Sequence, residues 1–118
     1  MTNVKTGAVE PVDPGGYLVD MRRFVAIVRA CCLAYRTTTH RITSAHKASP
    51  IFECRRAIFL AGRRFTKLPL TILGGALGKD HSTVIMACRG RTYEALPAEL
   101  RTKLDIELAA VEAAGVAV

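Results

Sequence analysis

The stretch L-T-I-L-G-G-A-L-G-K-D-H-S-T-V-I-M-A-C-R, residues 70–89, decides how the whole chain is read. Pro69 breaks what precedes it, and Leu70 to Leu77 is apolar enough for a short helix. Gly78-Lys79 makes a tight turn, and Asp80 stands where a helix N-cap belongs, opening a second helix that is expected to run to about Tyr93. Val84, Ala87 and Cys88 fall on one face of that helix, available to a core. Lys79, Asp80, His81, Ser82 and Thr83 crowd its first turn. Two helices joined by a glycine turn, the second led by short polar side chains, form a helix-turn-helix. Such a helix start presents donors and acceptors that fit base edges, and its dipole favours a phosphate.

The segments on either side support an all-α fold. Residues 1–19, with Gly7, Pro11, Pro14, Gly15 and Gly16, read as a flexible arm. Asp20 is expected to cap a helix from about Met21 to Tyr35, in which Phe24, Ile27, Val28 and Cys31 recur at helical spacing. Arg36 to Ser49 reads as a loop or a short irregular helix, with Ile42 its main apolar residue. Pro50 opens a long helix to about Phe65. Phe52, Phe59 and Phe65 are expected in the core, and Arg55, Arg56, Arg63 and Arg64 outside it. Pro97 starts a final amphipathic helix striped by Leu100, Leu104, Leu108 and Val111. That stripe either folds back on the domain or pairs with another chain. Three segments result: an arm over 1–19, a helix-turn-helix domain over 20–95 and a C-terminal helix over 96–118.

Charge sharpens the reading. Of 118 residues, half are apolar, and 17 Lys and Arg stand against 10 Asp and Glu, a formal charge of +7. Residues 21–93 hold 14 bases and only two acids, Glu53 and Asp80, for a net of +12, while residues 1–20 carry −2 and residues 94–118 carry −3. A basic module between acidic flanks favours polyanions, nucleic acid ahead of an anionic membrane. Its arginines are not interleaved with acids as a salt-bridged surface would be, so Arg55 and Arg56 are candidates for the phosphate backbone.

Other chemistries find no support in the sequence. A phosphate loop is suggested by Gly78-Lys79, but the pattern requires Gly at position 73 and Ser or Thr at position 80, where Leu73 and Asp80 stand. Cys31, Cys32, Cys54 and Cys88 have no C-x-x-C spacing, and His40, His46 and His81 do not complete a zinc pattern, so no metal and no cofactor are expected. No paired carboxylates or nucleophile–base pair point to an enzyme. The apolar run Phe24 to Tyr35 is interrupted by Arg29 and is too short for a membrane span, and no secretory start is evident. A reduced, cytoplasmic, nucleoid-associated protein is expected.

The motif G-K-D-H-S-T-V, followed by Ala87-Cys88-Arg89, resembles the signature of the C-terminal DNA-binding domain of the bacterial chromosomal replication initiator, DnaA. Ala57-Ile58-Phe59-Leu60-Ala61 is similar to the family's Ala-rich helix ahead of its helix-turn-helix. The resemblance is specific over Lys79–Val84 and extends weakly over about residues 21–93. It implies that Asp80, His81 and Ser82 read bases in the major groove, and that Lys79, Thr83 and the distal base Arg89 lie along the phosphate backbone. It also implies a basic loop that places an arginine in the minor groove, with Arg41, His46 and Lys47 as counterparts. The family's Arg-Gln pair falls at Cys54-Arg55 or Arg55-Arg56. The turn is one residue shorter than the initiator pattern, Leu73 replaces Ile, and Met86 stands where a polar His is common. The binding mode, and not the binding site, is therefore what the resemblance implies.

The expected function is sequence-preferring binding of double-stranded DNA in transcriptional or replication control, of bacterial or phage type, without ATPase activity. The alternative is an adaptor that keeps the initiator-like fold and binds a protein partner, or a second copy, through its C-terminal helix.

Overall fold

The computed structural model describes residues 16–45 and 48–116. The fold is all-α, with no strand among the described residues. In chain order the helices are α1 (Tyr17–Ala34), α2 (Thr39–Thr43), α3 (Ser49–Phe65), α4 (Leu70–Ala76), α5 (His81–Cys88) and α6 (Ala98–Val116), with a 3-10 turn over Tyr93–Ala95 before α6. The apolar positions of α1 and α3 meet in a core of Phe24, Ile27, Ile58 and Phe59, closed below by Ile42 of α2 and by Leu73, Leu77 and Val84 of the helix-turn-helix.

α1 begins earlier than its sequence suggests. Gly16, in the left-handed conformation (φ 76°), caps the helix, so Tyr17–Val19 are helical and Asp20 lies in the first turn. Asp20 is not an N-cap. It is buried, and its carboxylate accepts the Lys67 backbone N–H at 3.0 Å and an Arg23 guanidinium N–H at 3.1 Å. Arg23 also pairs with Glu112 near the end of α6. One carboxylate thus ties α1 to the α3–α4 link, where an unpaired backbone donor would be costly to bury. The remainder of the expected arm, residues 1–15, lies outside the described residues.

The second correction concerns α5, which ends at Cys88 and not near Tyr93. Gly90 adopts φ 68° and the Arg91 N–H returns to the Cys88 carbonyl at 3.0 Å, a left-handed stop that glycine takes without a Cβ penalty. Arg36 to Ser49, open between loop and short helix, holds the single-turn α2, capped by the Thr38 hydroxyl accepting from Arg41 N–H.

The last helix folds back. α6 runs along α1, and Leu100, Leu104 and Leu108 are buried there, with Val111 partly covered. The apolar stripe that suggested a protein partner is occupied within the chain.

Candidate nucleic-acid interface

The helix-turn-helix is closed by backbone contacts around one residue. The Gly74 carbonyl accepts from Leu77 N–H at 2.9 Å and from Lys79 N–H at 2.8 Å, and Gly78 turns the chain at φ 71°. A Cβ on Gly74 would sit 2.8 Å from the carbonyl oxygens of both Lys79 and Asp80. Only a residue without a side chain lets α4 approach the start of α5 this closely.

Asp80 is the N-cap expected from the sequence. Its Oδ1 accepts from the Thr83 backbone N–H and the Thr83 hydroxyl, both at 3.0 Å. These bonds, the backbone one foremost, hold its carboxyl below the usual aspartate range. Val84, Ala87 and Cys88 are buried, whereas Asp80, His81, Ser82, Ile85, Met86 and Arg89 are exposed. α5 therefore shows one face to the core and an opposite face, beginning with Asp80, His81 and Ser82, to solvent. Thr83 is half-buried and its hydroxyl is engaged by Asp80.

The two arginines expected at the phosphate backbone are struts. Arg55 is only 5% exposed; its Nε donates to the Ile42 carbonyl at 2.8 Å and its Nη2 to the Ser44 carbonyl at 2.8 Å, with a longer contact to the Arg41 carbonyl at 3.4 Å. A guanidinium so committed braces the segment after α2. Arg56 donates from Nε to the Ala87 carbonyl at 2.9 Å, pairs with Glu53 at 3.0 Å, and stacks 4.7 Å above the Phe52 ring. It thereby satisfies an end carbonyl of α5, where a cation also complements the helix dipole. Glu53 supplies the interleaved acid that the sequence reading passed over, and Phe52, expected in the core, is 39% exposed beneath this arginine.

Both roles left a trace in the sequence. Arg55 follows Ile51 by four residues and precedes Ile58 and Phe59 by three and four, on the apolar line of α3; Asp20 precedes Phe24 and Ile27 by four and seven, on the apolar line of α1. A polar residue on a buried line needs partners, and here the partners are backbone groups.

Lys79 joins this framework, since its Nζ donates to the Ser44 carbonyl at 2.8 Å. One carbonyl thus receives Arg55 from α3 and Lys79 from the turn. It fixes the loop after α2 against the start of α5. The Arg41 side chain is exposed on α2, on the same loop-bearing segment, and Arg89 is exposed at the end of α5. His46 and Lys47, the other minor-groove candidates, lie outside the described residues. Among the described residues no group of three or more His, Cys, Asp or Glu is arranged to hold a metal ion, and no helix is long and apolar enough to cross a membrane.

A family model described as the bacterial dnaA protein helix-turn-helix matches residues 25–90, more than half of the chain and the whole span from within α1 to the stop after α5. The chain belongs to this DnaA helix-turn-helix family. No curated protein and no solved structure matches it. Within the DnaA-type domain the matched span contains Asp80, His81 and Ser82 together with Arg55, Arg56 and Lys79, while the whole of α6 lies beyond it.

Proposed function

We propose that the chain reads double-stranded DNA through the exposed start of α5 and acts in transcriptional or replication control, without ATPase chemistry of its own. The observation that carries this reading is the exposure of Asp80, His81 and Ser82 at the N-terminus of a helix locked from behind, within a family of DNA-binding helix-turn-helix type. A recognition helix enters the major groove by that end. The Asp80 carboxylate uses Oδ1 for its cap and leaves Oδ2 to accept from an exocyclic amino group of cytosine or adenine. His81 and Ser82 supply short-range donors and acceptors to neighbouring base edges. Arg41 and Arg89 carry exposed charge toward the flanking backbone, with Lys79 adding charge beside the helix start. Arg55 and Arg56 act at one remove, by keeping loop and helix in register.

Selection of bound duplexes from a random pool, followed by anisotropy titration at two salt concentrations, tests this. A preferred sequence is expected, with a log–log salt slope of about −0.9 per phosphate neutralised. Asp80→Ala or His81→Ala should cost about 1–3 kcal/mol of discrimination at one or two base pairs, whereas Arg89→Ala should weaken all sequences alike. Unchanged base preference in both the Asp80 and His81 variants would refute readout by this turn.

A further inference from the structure

The outer face of α5 carries a residue that hydrogen-bonding readout does not use. With Val84, Ala87 and Cys88 buried, the line of α5 farthest from the core runs through Ser82, Met86 and Arg89, at i, i+4 and i+7. Met86 sits at the middle of that line and is 62% exposed, the most exposed large apolar side chain of the helix-turn-helix; Ile85, turned toward the flank, is 39% exposed. One helical turn separates Met86 from Ser82, so a groove that admits the Ser82 side chain also meets the Met86 thioether. No polar atom of Met86 can pair with a base amino or carbonyl group at full strength, and burying it against one would leave that group unsatisfied. The apolar group that a major groove offers is the thymine C5-methyl. A flexible, polarisable thioether conforms to such a methyl without a fixed ring geometry.

We infer that Met86 is a specificity residue that selects thymine by contact with its C5-methyl, one turn beyond the positions read by Asp80 to Ser82. The inference rests on the DNA-reading function proposed above.

Deoxyuridine differs from thymidine at the base only by that methyl, which makes the test direct. Each thymine of a selected duplex is replaced in turn by deoxyuridine, and binding is measured for the full chain and for Met86→Ala and Met86→Gln. One thymine is expected whose methyl loss weakens the unaltered chain about fourfold, as burial of one methyl group implies. Met86→Ala and Met86→Gln should bind the two duplexes equally, with melting temperatures close to that of the unaltered chain because the side chain is exposed. Duplex binding with no methyl-sensitive thymine, or a methyl effect that persists in both variants, would overturn the role of Met86 alone. Failure to select any duplex would overturn the DNA-reading function and this inference together.

Discussion

Adjacent glycines in α4 should respond to alanine with opposite sign. Gly75 is exposed, lies within the helix, and a Cβ built on it meets nothing within 4 Å. Alanine there removes backbone entropy from the unfolded chain and gains about 0.8–1.0 kcal/mol of helix propensity. Gly74 receives the same propensity gain, but its Cβ would stand 2.8 Å from two main-chain carbonyl oxygens, those of Lys79 and Asp80. Neither oxygen belongs to a side chain that could swing aside. The Asp80 carbonyl is held by Thr83 N–H at 3.2 Å and Val84 N–H at 3.4 Å, so relief must come from sliding the start of α5 away from α4. Overpacking of that kind costs about 1–3 kcal/mol, and a main-chain contact places it at the upper end, leaving Gly74→Ala destabilised by about 1–2 kcal/mol net. For a domain of this size about 1 kcal/mol moves the melting temperature by roughly 4–8 °C. Thermal denaturation by circular dichroism should therefore show Gly75→Ala melting above, and Gly74→Ala below, the unaltered chain. The two variants differ by one residue in position and nothing in chemistry. A Gly74→Ala protein as stable as Gly75→Ala would refute the close approach of α4 to the reading helix.

Three further outcomes follow from the site. Arg55→Ala should destabilise by about 2–4 kcal/mol in a urea titration, because the Ile42 carbonyl loses its charged donor in a buried setting and the Ser44 carbonyl keeps only Lys79; a change within about 0.5 kcal/mol would show that the guanidinium is not a strut. Asp80 has a lowered carboxyl pKa in the folded state, so its cap contributes stability above the unfolded aspartate range and loses it as pH falls through the lower folded value. Amide exchange at Thr83 should accordingly quicken on acidification in the unaltered chain and stay pH-flat, after correction for intrinsic rate, in Asp80→Ala. Burial raises the pKa of all four thiols, with Cys54 pushed up to about 12 by desolvation and then by its neighbour Cys32. Iodoacetamide at neutral pH should leave Cys31, Cys32, Cys54 and Cys88 unmodified until urea unfolds the chain, and rapid labelling of any one in the native state would contradict its burial.

Much of the helical order was legible because periodic apolar residues and punctuating Pro and Gly are local signals. Pro50 at the start of α3, Gly78 in the turn and the Asp80 cap were read from a few neighbours each. What is not legible shares a physical cause. Asp20 looked like a cap because a capping residue and a buried carboxylate are the same residue type; its partner, Lys67 N–H, lies 47 positions away. That Arg55 and Arg56 reach carbonyls of the chain is not legible in the sequence, because a basic side chain does not announce which carbonyl will receive it. The overlong reading of α5 passed over Gly90, whose left-handed conformation follows from the return to Cys88.

The sequence by itself determined an all-α chain, a helix-turn-helix within residues 70–89 and a polar first turn at Asp80 to Thr83, since these depend on spacing and on local hydrogen-bond capacity. Tertiary structure decided which charges are offered to solvent and which are consumed inside. Arg55, Arg56 and Lys79 end on carbonyls of α2's loop and of α5, and the Leu stripe of α6 ends on α1. The reason is that a donor's choice between a phosphate and a buried carbonyl turns on burial, and burial is a property of the packed whole.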